Sequence, residues 1–176
     1  TEEVFTNAMI QIDAETGLLS RTGFLKQARR EAARTRRYAN PLALAMIRIR
    51  TVSDLSGGFA EELHGRMSLS IAEALKTHIR ETDVPGRWDD DTFSVLLTET
   101  TEANASLALD KLLELILAEG QAGFEVYAGL ACIDGTLPVE EAAVRIVGDA
   151  TRRYLPSDRE GAGSGPKVGK YNLNDI

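Results

Sequence analysis

Several groups of residues in this sequence are of types and spacings that could do chemistry. Arg80-Glu81-Thr82-Asp83 sets a guanidinium and a carboxylate three residues apart. Such a pair either closes on itself as a helix-end salt bridge or offers a donor fork and an acceptor to a ligand. Arg48 and Arg50 alternate with Ile47 and Ile49, so on a strand they share one face, and a bound phosphate there is the less favoured alternative. Asp89-Asp90-Asp91 gathers three carboxylates ahead of Thr92. Consecutive turn side chains diverge, and no EF-hand spacing of glycine and glutamate follows, so a plain acidic turn is the better reading than a calcium site. Arg29, Arg30, Arg34, Arg36 and Arg37 read as a solvated helix face, which leaves Arg34 free to meet an anion. Trp88 is expected to pack near the acidic turn, with stacking on a planar base as the alternative. The lone Cys132 excludes an intramolecular disulfide and a cysteine-based zinc site, and reads as a buried small hydrophobe. His64 and His78 add little toward a metal site.

These groups need elements to position them. Residues 22–37 read as a helix with Phe24, Leu25, Ala28 and Ala32 on its apolar side, stopped by Asn40-Pro41. Leu42 to Ile49 is apolar enough for a buried strand. Residues 61–80 repeat Leu63, Met67, Ile71, Leu75 and Ile79 every four positions, a second helix. Two strand-like pieces around Asp89-Asp90-Asp91 predict a β-hairpin. A helix over 102–119, a strand from Phe124 to Ile133 and a helix Val139–Arg153 behind Pro138 follow. A glycine-rich stretch, 160–166, leads to a last strand from Val168 to Leu173. The order predicts an α/β (α+β) domain with a central mixed five-stranded sheet flanked by helices.

Composition narrows the function. In 176 residues, 43% hydrophobic content suffices for one buried core. The net charge of −7 argues against a general binder of nucleic acid or anionic membrane. No apolar run approaches the ~20 residues that a bilayer demands. A cytoplasmic domain is the expectation. The start at Thr1-Glu2-Glu3 suggests a piece of a longer protein, with residues 1–11 as a linker from an upstream regulatory domain and 12–176 as the folded domain.

Three segments, in order, resemble the diguanylate cyclase (GGDEF) domains. Asp13-Ala14-Glu15-Thr16-Gly17-Leu18-Leu19-Ser20-Arg21 is similar to the family's D-x-L-T-G-L-x-N-R motif. Asn40-Pro41-Leu42-Ala43-Leu44 resembles its first core strand. Arg87-Trp88-Asp89-Asp90-Asp91-Thr92-Phe93-Ser94-Val95-Leu96-Leu97 falls where the family carries R-Y-G-G-D-E-F-x-V-L-L. The likeness spans about residues 12–173 and implies a nucleotidyl-cyclase-like fold.

The departures imply lost catalysis. Active members hold two magnesium ions with first-strand and hairpin carboxylates against a triphosphate. Where the family has D-I-D, this chain has Arg48-Ile49-Arg50. At about 4 Å and an effective dielectric of about 20, each pair of unit charges repels by roughly 4 kcal/mol, and magnesium carries two. Asp89 and Asp90 replace the glycines whose bare backbone admits the nucleotide, and Thr92 replaces the next acidic residue after Asp91. The guanine-reading asparagine and aspartate correspond to Ser56 and Gly57, and the terminal lysine–arginine region is rewritten around Tyr154-Leu155-Pro156.

One family feature is retained. Arg80-Glu81-Thr82-Asp83 lies at the family's spacing for the R-x-x-D inhibitory site that binds cyclic di-GMP, with five residues before Asp89. An arginine fork suits guanine O6 and N7 or phosphate, and an aspartate suits the N1 and N2 donors. Counting along the alignment adds Arg34 as the secondary arginine and Lys111 as a further basic residue on the helix after the hairpin. The resemblance therefore implies a bacterial signalling module: a non-enzymatic receptor for cyclic di-GMP, with no cofactor, that relays binding to protein partners or a homodimer. The alternative is a docking or dimerisation scaffold without ligand.

Overall fold

The computed structural model describes residues 11–51, 58–119, 124–149, 153–154 and 169–170. Four helices and six strands alternate along them: α1 (Arg21–Tyr38), β1 (Leu42–Thr51), α2 (Gly58–His78), β2 (Val84–Asp89), β3 (Thr92–Thr98), α3 (Glu102–Glu119), β4 (Phe124–Cys132), α4 (Val139–Asp149), β5 (Arg153–Tyr154) and β6 (Gly169–Lys170).

The local chemistry of the chain explains the first of these. Ser20 caps α1 by accepting from the Gly23 amide at 3.3 Å. Phe24, Leu25, Ala28 and Ala32 give it one buried face, and Arg36 and Arg37 meet the negative end of its dipole. Ala39, at φ 54°, ends the helix, its amide donating to the Thr35 carbonyl. Pro41 then starts the chain toward the sheet.

β1 is the central strand, paired antiparallel with β3 on one side and β4 on the other. Its alternation divides the core into two layers. Ala43, Ala45, Ile47 and Ile49 pack under α2 and α3 with Leu63, Met67, Ile71, Leu75, Leu109 and Leu113. Leu42, Leu44 and Met46 pack under α1 and α4 with Phe24, Ala28, Ala142 and Ile146. A strand covered on both faces reads as a continuous apolar run, as Leu42 to Ile47 does.

The sheet order is β2-β3-β1-β4-β5, with β6 parallel to β4. The expected five-stranded sheet is thus four substantial antiparallel strands with two pieces of two residues each, and only the β4–β6 contact makes it mixed. The helix expected over Val139–Arg153 ends at Asp149, because Arg153 and Tyr154 pair with Tyr127 and Val126 at the sheet edge. Of the expected strand Val168–Leu173, Gly169 and Lys170 are strand, and the rest lies outside the described residues.

The segment before α1 adds itself to the edge of β2. Leu19 bridges Gly86, and the Arg87 amide donates to the Leu19 carbonyl at 2.8 Å. Gly17, at φ 73°, closes the turn that lets Asp13 and Leu18 meet. Gly86 admits the close approach of α1: a Cβ there would lie 2.9 Å from Phe24 and from the Ser94 hydroxyl.

Candidate functional site

Arg87 organises one end of the hairpin. Pairing of β2 with β3 shifts register between Arg87 and Asp89, a bulge that re-aims side chains. The Arg87 side chain is 4% exposed. It donates to the Glu15 carboxylate at 2.8 Å, to Asp13 at 3.3 Å, to the Ser68 hydroxyl and to the carbonyls of Asp89 and Asp90. One buried guanidinium thereby ties the segment before α1, helix α2 and the acidic turn together. Its own charge is reinforced: burial opposes ionisation, but the contacts with Glu15 and Asp13 raise its pKa. Asp13 responds in the opposite direction. Burial alone would raise its pKa, and hydrogen bonds from Thr16 together with Arg87 outweigh that and lower it.

The acidic turn is knit by its own chemistry. Asp89 accepts from the Asp91 amide at 2.9 Å, and the Asp91 carbonyl accepts from Ile49 of β1. The Asp91 carboxylate lies 2.9 Å from His64 Nε2 on α2. Thr92 is buried, whereas Asp89, Asp90 and Asp91 are exposed. On β1, Arg48 and Arg50 are exposed while Ile47 and Ile49 are buried, so the two arginines share a face as the alternation requires. Arg48 stands opposite Thr92 across the β1–β3 pairing. Among the described residues no three His, Cys, Asp or Glu side chains gather in metal-holding geometry.

At the opposite end of β2 the structure brings Arg80 and Asp83 together in a closed arrangement. Asp83, whose side chain is 3% exposed, accepts from Arg80 Nε at 3.3 Å and Nη2 at 3.1 Å, and from the amides of Arg80 and Thr98. Arg80 Nη2 also donates to the Thr98 carbonyl at 2.6 Å and to the Thr100 hydroxyl. Yet the Arg80 side chain remains 56% exposed. It lies at the mouth of a cavity of about 280 Å³ between α2, α3 and the sheet, whose walls are Ala45, Val95, Leu97, Leu109 and Leu112.

The other expected positions scatter. Arg34, exposed on α1, pairs with Glu31 at 3.4 Å and lines a second cavity of about 280 Å³ with Thr35, Asn40, Thr82 and Thr98. Glu99 borders both cavities. Lys111 is exposed on α3 and lines neither of them. Trp88 packs edge-on against Phe24, with centroids 6.4 Å apart, and carries the Arg21 guanidinium over its face at 4.1 Å. The expectation that Cys132 is buried is corrected. It is exposed at the end of β4, between the buried Ala131 and Ile133, and partial burial together with the charge of Glu102 raises its thiol pKa.

The family profile described as "Diguanylate cyclase, GGDEF domain" matches residues 10–145. The chain belongs to the GGDEF family. No curated protein matches its sequence significantly. Among solved structures, the GGDEF domain of DgcB from Caulobacter crescentus, in complex with c-di-GMP, superposes with a TM-score of 0.70 at 14% identity, covering 91% of this chain and 92% of that one. The FimX GGDEF domain from Pseudomonas aeruginosa gives 0.65 at 23% identity, over 92% and 99%. Diguanylate cyclase SiaD from Pseudomonas aeruginosa, solved with its activator SiaC, gives 0.65 at 20% identity. Here 84% of this chain spans only 60% of that protein.

Three participants in this GGDEF domain were missed as such in the sequence. Arg87 was visible as a motif residue, but its partners lie 72 and 74 positions away. His64 occupies an ordinary position of a helix repeat, and nothing in its neighbours announces Asp91. Glu99 left one trace, a carboxylate between Thr98 and Thr100 just after a strand. Its left-handed backbone, φ 48°, emerges only in three dimensions.

Proposed function

We propose that this GGDEF domain is a catalytically inactive receptor for cyclic di-GMP that relays binding to protein partners. The observation that carries the reading is the Arg80 guanidinium, held rigidly by Asp83, Thr98 and Thr100 yet more than half exposed at a cavity mouth. A fixed guanidinium beside an apolar recess, with Nη1 outside the bonds that Nε and Nη2 make to Asp83, Thr98 and Thr100, is a preorganised receptor for a flat, polar-edged ligand. Loss of cyclase activity is supported by two exposed arginines, Arg48 and Arg50, on the strand beside Asp91, where a cation and a triphosphate would need carboxylates. The fold-level likeness to a DgcB domain solved with c-di-GMP agrees with the ligand class. Arg34, which lines the second cavity, is the secondary arginine of this reading, and Lys111, exposed on α3, its further basic ligand residue. In this reading the domain works in the cytoplasm, driven by an upstream regulatory domain or a second copy.

A docking scaffold without ligand is the second reading. The closed pairing of Arg80 with Asp83 favours it, because the buried carboxylate has completed its own hydrogen bonds and offers nothing to a guest. Calorimetric titration with cyclic di-GMP separates the two. The receptor gives saturable binding that Arg80→Ala abolishes; no heat at high micromolar ligand leaves the scaffold. Conversion of GTP in the presence of magnesium would overturn the inactive assignment.

A further inference from the structure

The carboxylate expected to read a guanine in this site is Asp83, and the structure spends it elsewhere. Its side chain is buried and bonded to Arg80 and to the Thr98 amide. A different carboxylate stands at the same cavity mouth. Glu99 is exposed, lines the cavity with Arg80, and makes no ion pair among the described residues. Arg80 Nη2 bonds to both neighbours of Glu99, the Thr98 carbonyl and the Thr100 hydroxyl, so the guanidinium braces the turn from which Glu99 projects. Glu99 itself adopts φ 48°, a left-handed conformation that a residue with a Cβ rarely keeps without a tertiary reason.

We infer that Glu99 is the residue that selects the base, accepting from the N1 and N2 donors of a guanine whose O6 and N7 face Arg80, while Asp83 only positions the arginine. The inference rests on the receptor reading and names the reader within it. The chemistry needs opposite characters side by side: the guanine edge offers acceptors next to donors, and Arg80 and Glu99 supply the complement. The cavity suits the ring, since about 280 Å³ lined by Ala45, Val95, Leu97 and Leu109 compares with the roughly 150 Å³ apolar cavity that accepts benzene.

The test compares cyclic di-GMP with cyclic di-IMP, whose bases lack the 2-amino donor, on wild type, Glu99→Gln, Glu99→Gly and Arg80→Ala. The expected result is that wild type prefers cyclic di-GMP by about 5- to 150-fold. Glu99→Gly should lose that preference while its Tm is unchanged or raised, because glycine takes the left-handed backbone without strain. Glu99→Gln should keep the fold and discriminate less. If wild type binds both ligands equally, or if Glu99→Gly keeps the preference, the role of Glu99 is overturned while the receptor reading stands on Arg80→Ala. If wild type binds neither ligand, both readings fall together.

Discussion

Arg87 and Arg80 lie at opposite ends of the β2 region, and each bonds to carboxylates, yet they do different work. Arg87 is 4% exposed and shares its donors among two carboxylates, a hydroxyl and two carbonyls. Nothing is left over for a ligand. Arg80 leans on one buried carboxylate and the Thr98–Thr100 turn but keeps 56% of its side chain in water. The first is a cross-link between distant segments. The second is a positioned charge with an open face. Having a carboxylate partner therefore does not by itself separate a cross-linking arginine from the one proposed to meet a ligand; residual exposure beside a cavity does.

The contrast breaks most sharply at Arg87. Arg87→Ala should cost about 3 kcal/mol in urea unfolding, because it removes at once five hydrogen bonds of one buried guanidinium, two of them to carboxylates. A loss below about 1 kcal/mol would remove the distinction between the two arginines. Asp83→Ala should cost about 1–3 kcal/mol by leaving the Thr98 amide unpaired, and should weaken ligand binding by untethering Arg80. Arg80→Ala should also cost about 1–3 kcal/mol, because it takes the charged partner from the buried Asp83 carboxylate, and should remove ligand binding outright.

Acid sharpens the same comparison. The folded pKa of Asp13 is depressed below its ordinary value, so its contribution is complete above the unfolded carboxylate range. It is lost as pH falls through the folded value. The stability gap between wild type and Arg87→Ala should accordingly be full at pH 7 and shrink below about pH 4, a trend that unfolding curves across pH would reveal. The smallest effect is expected at Lys111→Ala, within about 0.5 kcal/mol of wild type, because the residue is exposed on α3 and lines neither cavity.

Much of the fold is legible in the sequence because local rules and tertiary packing agree. The four-residue repeat from Leu63 to Leu75, the Ser20 cap, the Asn40-Pro41 stop and the apolar run of β1 each fix their element from nearby residues. The hairpin is legible for the same reason, as is the common face of Arg48 and Arg50, which follows from a period of two. The short edge pieces are not. β5 and β6 have two residues each, too few for any period to register, and their pairing depends on β4 being within reach.

The sequence alone determined the order of the main helices and strands and the positions of the arginines and carboxylates along them, because periodicity and capping act over a few residues. Only the tertiary structure decided which carboxylate each arginine meets. Arg87 finds Asp13 and Glu15 across more than seventy positions, Asp83 turns inward to hold Arg80, and Glu99 is left facing the cavity. The physical reason is that charge pairing depends on distance and burial, and both are set by packing between segments that are remote in the chain.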